Sequence, residues 1–418
     1  MKNVFIVSEL PLYNTASAGA ARMTNVAKAL ALRGVRVYLC SKELNTNVNI
    51  QSLSEIYPNI FLVGSKNSRK ISKFRRIAGM MFNLVPAAIY LHKVFKLSER
   101  IEGEKVFYVY PHPAVSVDVV SVLYGKFIKK YAFFADINEL RLYMLEHRRF
   151  PGHILWKAYL IGRYWTHFVK YHLLERLTKH YDGLVVISTN LEKYFVRYNK
   201  NLLRVPILSD TTETPYQESP PFANGDAFSI CFTGMVARVK EGFEDFYKAL
   251  SRVKSHYTRF VLNLYGPIDK RDRTLLLRDL PQKYKIQENV VYHGVVDRNV
   301  LMKEMHKSHL LVIPRPRNLQ THYGFSTKLA EYLVSGVPSL ITDVSDNALY
   351  IKDGQNGFIV PPGDYEKMTA KIVYIIANYA RLKDSVGKNA YQTARDDFDY
   401  TNHSEKLFNF LFGSNANP

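Results

Sequence analysis

Residues 323–338, Tyr-Gly-Phe-Ser-Thr-Lys-Leu-Ala-Glu-Tyr-Leu-Val-Ser-Gly-Val-Pro, combine a glycine, two capping hydroxyls and a carboxylate at helical spacing. Gly324 and Phe325 lead into Ser326 and Thr327, good helix-capping residues, and an amphipathic pattern runs on to Gly336. A capped helix that opens just after a strand gathers free backbone N–H groups at the positive end of a dipole, which suits a phosphate. Glu331 lies four residues beyond Thr327 and shares its helix face. A carboxylate there can accept hydrogen bonds from sugar hydroxyls, so one element can hold a nucleotide-sugar. The plainer reading is a common strand-loop-helix unit with a solvated glutamate.

A second candidate is 233–242, Thr-Gly-Met-Val-Ala-Arg-Val-Lys-Glu-Gly. Gly234 lets backbone approach a ligand closely. Arg238 and Lys240 together can neutralise a diphosphate and stabilise it as it leaves, although two solvated loop cations fit the spacing equally. Gly266 and Gly294 end two further apolar runs, so three strand-terminal glycines are expected along one edge. In the first half, His112 stands between Pro111 and Pro113 and could face a donor sugar or an acceptor, or be a structural loop residue. Asp136, Asn138 and Glu139 follow the run 132–135. One of the acids could orient or deprotonate an acceptor hydroxyl; helix capping by Asp136 or Asn138 is the alternative.

These residues need a scaffold of alternating strands and helices. Apolar runs at 4–7, 35–40, 60–63, 106–110, 132–135 and 184–187 read as strands with helices between them. Residues 207–226 are poor in periodic pattern and read as a linker. The alternation restarts at 228–232 and continues through 260–264, 290–292, 310–313, 339–341 and 357–360. Two doubly wound α/β domains are expected, 1–208 and 227–399 joined by 209–226, with ligands beyond the carboxyl ends of the strands in the cleft between them. The amphipathic C-terminal segment, within 400–418, is expected to pack back on the first domain.

The chain's 418 residues suffice for two cores. Two cysteines, Cys40 and Cys231, are too few for a metal site or a disulfide framework, and a reducing compartment fits. Residues 1–209 carry 31 Lys and Arg against 13 Asp and Glu, a balance of +18, out of +20 for the chain. That half is expected to meet something anionic. Basic and large apolar residues mix at 66–96 and 141–179, as suits a helix in an anionic lipid interface; a solvated basic face over a core-facing stripe is the alternative. No nucleic-acid-binding signature accompanies the charge. The longest weakly polar run, 77–91, is too short to span a bilayer, and no signal peptide opens the chain. A cytoplasmic protein, or one peripheral on the inner face of the membrane, is expected.

Taken together, "CFTGMVARVKEG", "LNLYGP", "VVYHGVV", "LLVIPRP", "GFSTKLAEYLVSGVPSLITD" and "IKDGQNGFIVPPGD" resemble the C-terminal domain of the group-1 retaining glycosyltransferases, in that family's order and spacing. "PLYNTASAGAARMTNVAKALALRGVRVYL" resembles its opening strand, glycine loop and helix. The resemblance implies the GT-B fold of two Rossmann-like domains facing across a cleft. It also implies transfer of a sugar from a nucleotide diphosphate to an acceptor hydroxyl, with retention; the basic first half favours an acceptor on a lipid-linked or cell-surface glycan at the membrane. By position, Arg238 and Lys240 would contact the diphosphate, Gly324, Phe325, Ser326 and Thr327 would offer N–H groups, and Glu331 would meet the ribose. The loop around Gly19 would approach the phosphates. Tyr323 replaces the first glutamate of the family's Glu-x7-Glu pattern, and Glu241 is one residue more than the usual Lys-Gly spacing. Arg238 and Lys240 already suit the diphosphate, so neither metal nor other cofactor is expected. A nucleotide-sugar epimerase and a catalytically silent scaffold subunit are the competing readings.

Overall fold

The computed structural model describes residues 1–9, 12, 17–41, 53–63, 84–110, 116–146, 154–223 and 225–413. His112 and residues 66–83 of the basic stretch 66–96 lie outside these. The chain divides into two compact units, Met1–Leu208 with Tyr400–Pro418, and Ser209–Asp399.

In the first unit, eight strands run in the order β3-β4-β2-β1-β5-β6-β7-β8. The central strand β1 (Lys2–Ser8) lies parallel to β2 (Arg36–Ser41) and β5 (Glu104–Tyr110), and Ile6 faces Leu39 on one side and Tyr108 on the other. Unbroken apolar runs form these strands because both sheet faces are covered. The edge strand β3 (Leu53–Tyr57), antiparallel to β4 (Ile60–Val63), is largely exposed and carries no such run; the other edge strand, β8 (Leu202–Arg204), is only three residues long. Neither was expected from the sequence. Between them, β6 (Ala132–Ile137) and β7 (Gly183–Val186) complete the sheet. Helices between the strands include α1 (Ala18–Ala31), α2 (Leu84–Glu99), α3 (Ile154–Leu177) and α4 (Thr189–Phe195). Part of the high aromatic content stacks across neighbouring strands, Phe5 on Tyr38 at 4.7 Å and Phe107 on Phe133 at 5.0 Å.

The second unit is a six-stranded, wholly parallel sheet ordered β11-β10-β9-β12-β13-β14. Its strands are β9 (Phe228–Thr233), β10 (Phe260–Tyr265), β11 (Val290–Gly294), β12 (Leu310–Ile313), β13 (Ser339–Thr342) and β14 (Phe358–Val360). The helices that matter below are α5 (Phe243–Val253), α6 (Arg298–His306), α7 (Leu319–Tyr323), α8 (Thr327–Ser335) and α9 (Tyr365–Thr393). Gly336 ends α8 at φ 69°, the left-handed conformation that glycine adopts without strain. Residues 209–226 cluster with this unit. Phe222 packs against Phe228 at 5.2 Å, and the buried Ser219 hydroxyl donates to the Gly336 carbonyl at 3.2 Å.

A last helix, α10 (Ser404–Phe412), belongs to the first unit, where Leu407, Leu411 and Phe412 join Val4, Ile6 and Leu30 in one core. Among the described residues no helix is long and apolar enough to cross a membrane. Cys40 and Cys231 are both buried and free.

Candidate anion-binding site of the second unit

The α8 start is built differently from its sequence expectation. Ser326 occupies the N-cap, but its side chain caps nothing, and its buried Oγ has no hydrogen-bond partner. The Gly324 N–H is not available to a ligand, because it donates to the Gln320 carbonyl at 2.9 Å and closes α7. The N–H groups of Phe325, Ser326, Thr327 and Lys328 donate to no described residue. A helix leaves its first N–H groups without internal partners, and here a buried hydroxyl stands among them. The Phe325 side chain turns inward, edge-on to Tyr350 at 5.6 Å and stacked near Phe398 at 6.1 Å. Tyr323 ends α7 with its ring edge-on to His322.

One turn into α8, Glu331 is half-buried and its carboxylate accepts no hydrogen bond from a described residue. Burial raises its pKa above the ordinary carboxyl value, and Arg298 at the start of α6 and Lys328 pull the other way. An acceptor that is partly desolvated and unpaired is poised for a donor from outside.

Residues 234–242 are fastened to this helix start. Gly234 sits at φ 103°, and a Cβ there would lie 2.6 Å from Lys328 Cε, so the lysine stem passes directly beneath it. Lys328 Nζ reaches the fully buried Glu241 at 2.5 Å, and Arg315 Nε lies 3.5 Å from the other carboxylate oxygen. Burial depresses the Lys328 pKa to about 8 despite the Glu241 attraction, with Arg315 and Lys240 adding like-charge repulsion. Glu241, which looked like an inserted residue, is therefore the counter-ion of a buried cluster. The Asn318 amide donates to the Val239 carbonyl at 2.9 Å, and the Gly242 N–H to the Pro314 carbonyl at 2.7 Å. Arg238 is exposed, its backbone N–H held by Asp272 at 3.1 Å while its guanidinium makes no hydrogen bond to a described residue. Lys240 is half-buried. Three cations, Lys240, Arg315 and Lys328, thus act on one carboxylate, which leaves the region attractive to an anion.

The strand-terminal glycines have structural reasons. Gly234 N–H donates to the Tyr265 carbonyl and Gly266 N–H to the Gly294 carbonyl, at 2.8 and 2.7 Å. A Cβ on Gly266, at φ 129°, would sit 2.1 Å from the Gly234 oxygen.

In the first unit, the residues predicted to serve an acceptor are engaged internally. Asp136 caps no helix: it is fully buried, takes the Arg22 Nε at 2.9 and 3.1 Å and accepts from the Tyr108 hydroxyl at 2.6 Å. Arg22 also donates to the carbonyls of Pro206 and Val205. Asn138 donates to the Tyr110 hydroxyl at 2.5 Å, Glu139 pairs with Arg141, and Gly19 abuts the Tyr110 ring. Asp136, Asn138 and Glu139 nevertheless line one small cavity of about 20 Å³, with room for about one water, together with Asp118, Arg141 and Glu175. Asp118 Oδ2 and Glu175 Oε1 are buried without partners, and burial lifts the Asp118 pKa to about 7. Those two acids were not singled out from the sequence, although Asp118 is a lone charge in the apolar run 115–123. Among the described residues no group of three or more His, Cys, Asp or Glu is arranged to hold a metal ion.

Residues 227–378 match the family model described as "Glycosyl transferases group 1". The chain's fold matches solved structures over nearly its full length. Sucrose-phosphate synthase from Thermosynechococcus elongatus aligns with a TM-score of 0.69 at 15% identity, covering 99% of this chain and 100% of that one. A glycosyltransferase from Rickettsia africae aligns at 0.64 and 16%, covering 99% of each. The Anabaena HepE protein in complex with UDP and glucose aligns at 0.67 and 12%, covering 99% and 100%. No curated protein sequence matches the chain. The expected fold class holds: two Rossmann-like α/β domains, as in these solved structures.

Proposed function

We propose that this chain, which carries a glycosyl transferases group 1 domain, moves a sugar from a nucleotide diphosphate to an acceptor hydroxyl with retention at the anomeric carbon. The observation that carries the reading is the open start of α8: N–H groups of 325–328 without partners, a buried unpaired Ser326 hydroxyl, and the unpaired Glu331 carboxylate one turn on. The diphosphate would take the N–H groups of Phe325, Ser326 and Thr327 and the Arg238 guanidinium, and Glu331 would accept from the ribose hydroxyls. Positive charge already in place at the departing diphosphate lowers the barrier without a metal ion. The Lys328–Glu241 pair would hold the loop that presents Arg238 and Lys240.

The acceptor is assigned to the first unit and to a glycan carried on lipid or on the cell surface. Asp136 is withdrawn as its base, because both of its oxygens are committed to Arg22 and Tyr108.

UDP and UDP-glucose are the first donors to test, since the HepE structure holds UDP and glucose. Thermal shift with UDP in EDTA reads binding, and release of UDP from UDP-sugars reads turnover. Glu331→Ala should weaken UDP binding about tenfold, about 1.4 kcal/mol, for loss of a charged acceptor. Protons compete with the ribose for this carboxylate, so affinity should fall as pH drops through a pKa above the ordinary glutamate value. If no uridine, guanosine or adenosine diphosphate shifts the melting temperature, the reading is wrong.

A further inference from the structure

Three elements of the first unit leave an apolar band in solvent. Successive rightward steps β4→β5→β6→β7 with right-handed crossovers put α2, the segment 116–126 and α3 on one sheet face. Along α3, Ile161, Trp165, Val169 and Leu173 recur every four residues and all are exposed, Trp165 at 57% and Val169 at 62%. Residues at this spacing form a single ridge, here about 18 Å long. Just past the end of α3, His180 meets the Phe127 ring at 5.2 Å. Phe127 and Ile128 sit on a turn, exposed at 55% and 66%, and continue the band. Apart from the His180 contact, these two side chains are held out on a turn, where they cost solvation with little intramolecular return.

Exposed cations stand on the same elements. Lys130, at φ 57° on the same turn, is exposed, as are Arg163, Arg176 and Lys179 on or beside α3. This half of the chain carries the +18 balance. A second copy of the chain is a poor occupant. The commonest dimer symmetry would set this band against itself and bring like charges together. An anionic bilayer offers hydrocarbon for Phe127 and Ile128 and phosphates for the cations.

We infer that this band is a docking surface for an anionic lipid bilayer, with Phe127 and Ile128 entering the acyl boundary and the α3 ridge lying along the headgroups. Its link to a lipid-borne acceptor rests on the transferase reading; the docking itself does not.

The test is co-sedimentation of the full chain with vesicles of phosphatidylcholine alone or with one-third phosphatidylglycerol. Binding to the anionic vesicles only, weakened by 0.5 M salt, is expected. The double variant Phe127→Glu/Ile128→Glu should lose at least tenfold in partitioning while its melting temperature and its response to UDP stay as in the parent. Lys130→Glu/Arg176→Glu should lose anionic binding without unfolding. Only two tryptophans occur in the chain, so in Trp156→Phe the emission of Trp165 should shift to the blue with anionic vesicles. Equal partitioning of parent and Phe127→Glu/Ile128→Glu overturns the proposal, as does absence of binding to anionic vesicles. A dimer in solution that Phe127→Glu/Ile128→Glu dissolves would assign the band to a second copy instead. If no uridine, guanosine or adenosine diphosphate shifts the melting temperature of the parent, the transferase reading falls and the docking proposal stands.

Discussion

Replacing Glu241 by glutamine should destabilise the second unit more than most surface or core changes. The carboxylate is fully buried, with Lys328 Nζ at 2.5 Å and Arg315 Nε at 3.5 Å. At an effective dielectric constant near 20 those separations correspond to roughly 7 and 5 kcal/mol of attraction before desolvation is subtracted. The net value of such a cluster is far smaller, because all three ions have left water. Removing only the anion leaves two buried cations facing each other, and the cost of breaking a buried pair in this way is about 3–5 kcal/mol. For a unit the size of Ser209–Asp399 this corresponds to a fall of roughly 6–20 °C in melting temperature. Thermal and urea unfolding of the parent, Glu241→Gln, Lys328→Met and the double variant would measure it. The double variant should recover part of the loss, since it removes both partners of the closest pair. The parent itself should gain stability as pH rises above about 8. The Lys328 pKa is depressed, so the native state sheds its proton first and gains stability as pH climbs from about 8 towards the ordinary lysine value of 10.5. Equal stability of parent and Glu241→Gln, with additive single effects, would refute this account of the cluster.

Three further outcomes follow from burial and backbone geometry. Asp118→Asn should raise stability at pH 8 by up to about 4 kcal/mol, with the gain vanishing towards pH 4, because the native carboxyl titrates near 7 rather than 3.8 and its ionisation opposes folding; unfolding curves at both pH values check this. Gly266→Ala should destabilise by more than about 2 kcal/mol, since φ 129° and a Cβ contact of 2.1 Å with the Gly234 oxygen both forbid the side chain; denaturant melts will read it. Neither cysteine should react with a thiol reagent until the chain unfolds, because burial pushes the Cys231 pKa to about 12 and the Cys40 pKa higher still; the rate of colour release in native buffer and in denaturant compares the two states.

Local pattern made much of this structure legible. The runs 310–313 and 60–63 are strands with those bounds, and α8 begins at Thr327 and stops before Gly336 as its capping and termination residues imply. Pairings across long stretches of chain were not legible. Arg22 meets Asp136 from 114 residues away, and Lys328 meets Glu241 from 87. From sequence spacing, Asp136 read as a base or a cap and Glu241 as a surplus residue, because nothing local names a buried counter-ion. Ser326 failed in the opposite sense. Its type and position fit a cap, yet the hydroxyl is buried and unused. A residue that breaks its local rule in this way marks where something outside the chain can bind.

The connectivity of the first unit constrains how the chain is made. Its core is closed by Leu407, Leu411 and Phe412, while the whole of the second unit is encoded in the uninterrupted stretch before them. During synthesis the first eight strands must wait with part of their apolar face uncovered until the final dozen or so described residues emerge. The unit encoded second can finish folding first. A nonsense codon shortly after Asp399 would therefore spare the second unit and cripple the first. The first 208 residues expressed alone would be an open core rather than a domain.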